Sequence, residues 1–293
     1  MPHILKNHNL EIHIDSPSEN YQSARFDRTG KISEVKFQNT PVTTTEKPDG
    51  ENENIFGKGF YNEFGIDTAL GFDEAEIGGW FHKIGIGLLK KDDSQYQFFK
   101  NYAIKAADFD VISETDRIII TCCSDSVNGY SYLLRKEVEL IDSGFTIKYF
   151  LKNTGEKEIK TNEYVHNFTA INNDLVGGNY KLEFPFHLDQ NLFGDFVNPE
   201  NKLEIGGKEI GFNGSPKEQF FISYLNGKKT VEAKWKLTNV KSQIGMSETA
   251  SFQTNKVNLW GWKHVISPEL FYDISVQPNQ SVEWQREYSF YKI

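Results

Sequence analysis

The sequence predicts an all-β protein, built as a large antiparallel β-sandwich. Three observations carry this. Apolar residues recur at every second position over several long runs, the period of a strand with one buried face. Turn-forming residues break those runs about every 8–12 positions, the spacing of sandwich strands. No long window carries the i, i+3, i+4, i+7 stripe of an amphipathic helix.

Taken in order, the elements support that class. Residues 40–54 form the most polar segment, with Thr43-Thr44-Thr45-Glu46-Lys47-Pro48-Asp49-Gly50 at its centre, and read as a surface loop. Gly57 to Gly65 and Gly78 to Gly87 are punctuated by glycines, which permit tight bends and close backbone approach. Tyr130, Tyr132, Leu134, Val138 and Leu140 share one parity, with Arg135, Glu137 and Glu139 on the other. Asp142-Ser143-Gly144 then turns the chain, and Phe145, Ile147, Tyr149 and Leu151 resume the alternation. This is a hairpin with its turn chemistry in place. A short turn of helix is expected near Ser215-Pro216-Lys217-Glu218. Val231, Ala233, Trp235 and Leu237 alternate again, and the pattern returns on both sides of Gln277-Pro278-Asn279-Gln280. Composition does not shift along the 293 residues, so one domain over 1–293 is expected.

The charge balance is acidic, with 41 Asp and Glu against 32 Lys and Arg, and no Lys/Arg cluster interrupts it. Nucleic acid and anionic membranes are therefore poor partners, because phosphate neutralisation needs a basic stripe. The two cysteines, Cys122 and Cys123, are adjacent. On a strand they point to opposite faces and are badly placed to bond to each other. That fits a reducing compartment. The first residues contain no apolar core of signal-peptide length, and no run approaches the roughly 18 apolar residues of a spanning helix. A cytoplasmic location is the resulting expectation. No Cys or His spacing of a metal site, no acidic calcium loop and no phosphate-binding loop is present, so no metal and no cofactor is expected.

Two polar residues interrupt apolar strand patterns and carry the chemical argument. His166 lies within Glu163-Tyr164-Val165-His166-Asn167-Phe168, and Glu269 within Ser267-Pro268-Glu269-Leu270-Phe271. An imidazole titrating near about 6.5 and a carboxylate near about 4.3 can act as an acid–base pair at neutral pH. The same patterns also fit a core histidine and an edge carboxylate. Trp260-Gly261-Trp262-Lys263 places two indoles on one side of a strand. Such rings are common floors for the apolar faces of sugars, and equally common in cores. Trp262, Lys263, Asn62, Glu63, His82 and Asn167 are the candidate substrate-binding residues.

These segments resemble the galactose mutarotase-like superfamily, the aldose 1-epimerases and their relatives. Ala24-Arg25-Phe26-Asp27-Arg28-Thr29-Gly30-Lys31-Ile32 is similar to the strand–turn–strand with which the relatives begin. Asn162 to Phe168 resembles their catalytic-histidine strand, and Ser267-Pro268-Glu269 the stretch holding the catalytic glutamate. Val276 to Ser281 resembles the closing turn, and Tyr288-Ser289-Phe290 the last strand. The resemblance runs from about residue 20 to the end. It departs where galactose mutarotases carry an arginine and a first histidine in a Leu-His-Gly-Gly-like context, because this chain reads Tyr61-Asn62-Glu63-Phe64-Gly65 there. A sugar-binding aspartate also lacks a match.

The resemblance implies a galactose mutarotase-like supersandwich and an isomerase that interconverts sugar anomers. Glu269 and His166 are its implied catalytic pair, and a small sugar or oligosaccharide its partner. Two other functions fit the same residues. One is a carbohydrate-binding protein without turnover. The other is a saccharide lyase or hydrolase on the same fold.

Overall fold

The computed structural model describes residues 2–48 and 54–293. Residues 49–53 of the polar 40–54 segment lie outside the described residues. The described residues are almost entirely strands and connections. They include two short 3₁₀ turns, Ile171–Asn173 and Gln190–Leu192, and no α-helix. The expected all-β sandwich is thus the observed class. None of these helices is long and apolar enough to cross a membrane.

Two antiparallel sheets dominate. A seven-stranded sheet runs His3–Lys6, Leu10–Asp15, Lys31–Phe37, Phe60–Phe64, Ile159–Asn167 and Tyr272–Val276, with Thr40–Pro41 added beside Lys31–Phe37. A ten-stranded sheet contains the long strands Val231–Asn239, Ile244–Thr254, Ser281–Lys292, Gly144–Asn153 and Tyr132–Ile141. The predicted hairpin pairs Tyr132 with Asn153 and Ile141 with Gly144. A four-stranded sheet, including Val257–Trp262 and Val265–Leu270, and a three-stranded sheet complete the structure. Buried apolar side chains from Leu5 to Phe290 form one continuous cluster between the large sheets.

Three local expectations change. The alternating runs flanking Gln277–Gln280 do not pair with each other. Tyr272–Val276 joins the seven-stranded sheet and Ser281–Lys292 the ten-stranded one. The turn is therefore an arch between sheets, tied at Asn153, whose N–H reaches the Gln280 carbonyl at 3.0 Å. Residues 215–218 form no helical turn; the chain bends at Lys217 and Glu218, whose N–H groups the Glu200 carboxylate accepts. The segment 24–30 is bent as well, and regular strand begins only at Lys31. Asp27 holds the bend by accepting the N–H of Thr29 at 2.7 Å and the Lys136 ammonium at 3.0 Å. Cys122 is buried and Cys123 exposed, both as free thiols.

The inside of the sandwich contains a layer of charge. Arg286 donates to Glu163 at 2.7 Å and to Glu248 at 2.5 Å, and all three are fully buried. Glu163 also accepts from Trp284 and Asn62, and Glu248 from Trp235 and Asn167. Glu163 belongs to the seven-stranded sheet, whereas Glu248 and Arg286 belong to the ten-stranded one. The guanidinium therefore bolts the two sheets together. Buried charges persist only when paired and hydrogen-bonded in this way.

Candidate active site

The site forms where the seven-stranded and four-stranded sheets meet. Ile159–Asn167 is paired to Tyr272–Val276 along its first half and to Phe60–Phe64 along its second. Just past its end, Thr169 forms a single bridge with Ile266. A continued ladder toward Glu269 would meet Pro268, which has no N–H to donate. Instead the Asn167 side chain donates to the Pro268 carbonyl at 2.7 Å, and Arg286 donates to the Leu270 carbonyl at 2.9 Å. Both groups act from the sandwich interior. They fix the backbone on either side of Glu269 while its side chain turns to the opposite, outer face.

On that outer face His166 and Glu269 come together. Nε2 of His166 lies 3.4 Å from Oε1 of Glu269. Each residue is only 4% exposed. Ser267, on the same strand as Glu269, places Oγ 2.7 Å from His166 Nδ1. The imidazole stacks on Phe168 with ring centroids 4.1 Å apart, and meets Trp260 edge-on at 5.2 Å. Gly57 permits this layer, because a Cβ there would fall 2.4 Å from the Phe168 ring and 2.8 Å from that of Phe26.

Burial disfavours the charged form of each group. It raises the Glu269 carboxyl to about 8; Arg25 opposes that shift, Glu63 adds to it, and Lys256 and Asn258 oppose it. Burial, and then Arg25, hold the His166 imidazolium well below its ordinary range. Burial thus favours a carboxylic acid beside a neutral imidazole. The total proton count of that pair equals that of a carboxylate beside an imidazolium. Ser267 Oγ and His166 Nδ1 share one hydrogen bond, and its direction follows the tautomer of the ring.

A second cluster adjoins the pair. Glu63 is fully buried and accepts from Arg25 Nε at 2.9 Å, Tyr164 at 2.7 Å and Lys83 at 3.1 Å. The Arg25 guanidinium also donates to the Tyr164 hydroxyl at 3.1 Å, and lies over the rings of Phe26 and Phe98. A small cavity of about 160 Å³ opens onto it, lined among others by Ser23, Glu46, Phe56, Phe99 and Asn101. A larger cavity of about 540 Å³ lies toward Asp15, Ser33 and Thr44, and neither cavity is lined by His166 or Glu269. The smaller one is linked to the pair through Arg25 in its wall, which donates to Tyr164, whose ring centroid lies 6.0 Å from that of His166. Among the described residues no group of three or more His, Cys, Asp or Glu side chains is placed to hold a metal ion.

The predicted residues divide along strand parity. His166, Glu269 and Glu63 share the outer face. Asn62 and Asn167 do not join them, which corrects the expectation that they line the same site. Asn62 is buried against Glu163 and Tyr149, and Asn167 against Glu248 and Tyr288. Adjacent strand residues point to opposite faces, so Asn62 and Glu63 cannot share one. His82 is corrected likewise. It packs against Tyr130 and Tyr132, whereas its neighbour Lys83 reaches Glu63. Trp262 donates to the Lys217 carbonyl, Lys263 is exposed, and it is Trp260 that meets His166. Sequence reasoning missed Arg25, Ser267, Tyr164 and Lys83. Parity relative to His166 and Glu269 marks Tyr164 and Ser267, but nothing local marks Arg25.

No family model matches the chain in sequence, and no curated protein does. Solved structures match in shape. A candidate aldose 1-epimerase from Escherichia coli K12 superimposes with a TM-score of 0.64 at 9% identity, covering 100% of this chain and 99% of that one. The Slr1438 protein of Synechocystis sp. PCC 6803 gives 0.63 at 11% identity, covering 100% and 96%. A galactose mutarotase-like protein from Lactobacillus casei ATCC 334 gives 0.60 at 11% identity, covering 99% and 100%. The fold of this chain is the antiparallel β-sandwich that these galactose mutarotase-like structures share.

Proposed function

We propose that the chain is an aldose 1-epimerase-like isomerase that opens and recloses a small cyclic sugar, with His166 and Glu269 as its acid–base pair. The observation that carries this reading is the 3.4 Å approach of the two side chains on one face of a fold shared with a candidate aldose 1-epimerase. Residues 1–293 act as one domain in this reading, supported by the continuous core.

The pair holds one proton to divide between its members. Sugar hydroxyls entering the site resolvate the carboxyl, and the proton moves to His166. Glu269 then removes the proton from the anomeric hydroxyl. The C1–O1 bond becomes a carbonyl, the C1–O5 bond breaks, and His166 protonates O5. Rotation about C1–C2 and the reverse steps close the ring on the other face. Protons balance over the cycle. Ser267 holds the imidazole so that Nε2 points at the reacting atoms, and Trp260 offers an apolar edge to the sugar ring.

The cover over the pair supports a second reading, a carbohydrate-binding protein without turnover. The adjoining cavity of about 160 Å³ is smaller than the roughly 300 Å³ of ordinary ligand pockets and is lined by neither His166 nor Glu269, so a pyranose must displace side chains to reach the pair. Polarimetry on freshly dissolved aldoses separates the two. Catalysed relaxation that Glu269→Gln abolishes supports the isomerase. Equal relaxation by both proteins, with calorimetric sugar binding intact, supports the binding protein.

A further inference from the structure

We infer that Glu46 is a specificity-determining residue, which neutralises Arg25 in the wall of the small cavity beside the pair and so makes the site select uncharged saccharides over phosphorylated or carboxylated ones. The inference rests on the sugar-site reading above and adds to it the charge of the ligand.

Three side chains divide the Arg25 guanidinium. Glu63 takes Nε, and Tyr164 takes one terminal nitrogen. The other terminal nitrogen, NH1, donates to Glu46 Oε1 at 3.2 Å. Glu46 is held in that position. Its Oε2 accepts the N–H of Gly57 at 2.9 Å, and its own N–H donates to the Gly57 carbonyl at 2.8 Å. Both Glu46 and Arg25 line the small cavity that opens to solvent. The local charges therefore cancel, with Arg25 and Lys83 opposed by Glu63 and Glu46. The His166–Glu269 pair adds no net charge.

An arginine at a cavity mouth ordinarily recruits phosphate or carboxylate through its forked N–H groups. Here the fork is already occupied by the chain's own Glu63, Glu46 and Tyr164. An anionic sugar must displace Glu46 or lie beside it, and like charges placed together discriminate against the wrong ligand. A neutral sugar meets no such cost.

The test compares a neutral aldohexose, its 6-phosphate and the corresponding uronic acid, with wild type and Glu46→Gln. Glutamine keeps an acceptor for the Gly57 N–H, and a melting curve checks the fold. Wild type is expected to prefer the neutral sugar in kcat/KM by about tenfold or more, and Glu46→Gln to narrow that ratio by about tenfold through the KM of the anions. In parallel, inorganic phosphate is titrated by calorimetry. Binding is expected to appear in Glu46→Gln and to vanish again in Glu46→Gln/Arg25→Met. Equal use of neutral and anionic sugars by wild type, an unmoved ratio, or no gain in phosphate binding overturns the inference. If wild type turns over no sugar while Glu46→Gln gains phosphate, the ring-opening reading has failed and the role of Glu46 stands.

Discussion

Nε2 of His166 stands 3.4 Å from Oε1 of Glu269, with both groups almost sealed from water. That relationship controls the titration of the site. Each group alone prefers its neutral form, and together they present one movable proton. The pair titrates as a unit, and its apparent pKa values belong to both residues.

The rate should follow that shared proton. With the carboxyl raised to about 8, the one-proton state persists across neutral pH and is lost above it. Anomer interconversion is expected to be level through neutrality and to fall above about pH 8. A pH–rate profile checks this, and a fall centred near 4.5, the ordinary carboxyl value, contradicts it.

Stability should carry the same signature. Glu269 ionises near 4.5 when unfolded and near 8 when folded, so the native chain holds the extra proton between those values. Its contribution is complete below 4.5 and lost as pH rises through 8. His166 has the opposite sign below 6.5, where the unfolded chain takes up a proton that the native imidazole refuses. The two slopes oppose each other from 4.5 to 6.5. From 6.5 to 8 only the Glu269 slope remains, at up to about 1.4 kcal/mol per pH unit. Denaturant midpoints measured across that window should decline, and Glu269→Gln should flatten them.

Ser267→Ala should lower kcat by about tenfold with little change in KM, because the tautomer loses its support while the sugar contacts remain. The variant also leaves His166 Nδ1 without a partner, at a stability cost of about 1–3 kcal/mol. Ring ¹⁵N shifts of His166 report the tautomer directly. Unchanged shifts together with unchanged kcat would remove Ser267 from the site.

The charge layer inside the sandwich makes a separate prediction. Arg286→Met leaves Glu163 and Glu248 buried without their counter-charge, and should cost about 3–5 kcal/mol in urea unfolding. Adding Glu163→Gln and Glu248→Gln should restore most of the loss. If Arg286→Met alone is neutral, the guanidinium does not bolt the sheets.

The two tryptophans can be told apart. Trp260→Ala should raise KM for the sugar several-fold, through loss of the edge beside His166, with an aromatic contact worth about 0.5–1.5 kcal/mol. Trp262→Ala should change KM little, since its indole N–H is bound to the Lys217 carbonyl instead. Steady-state kinetics on both variants decide it.

Strand period and turn chemistry are local properties, and they were legible without coordinates. The hairpin around Asp142–Gly144 and the all-β class lie within their reach, whereas the pairing of His166 with Glu269 is what the family resemblance implies. Parity along a strand is equally local. It separates Glu63 from Asn62, His166 from Asn167 and Lys83 from His82, because neighbours on a strand face opposite ways. The arch at Gln277–Gln280 was less legible, since a tight turn looks the same whether its strands pair or part.

By itself, the amino-acid order determined which residues alternate, where the chain must turn, and that an imidazole and a carboxyl interrupt apolar strands. Those follow from dihedral preference and side-chain polarity over a few residues. Tertiary structure alone decided that Arg25, brought in by a bend held at Asp27, lies among Glu63, Tyr164 and Glu46. It also decided that the pair is covered, and so which of its members holds the proton. Burial and long-range charge are sums over the whole fold, and no short stretch of sequence contains them.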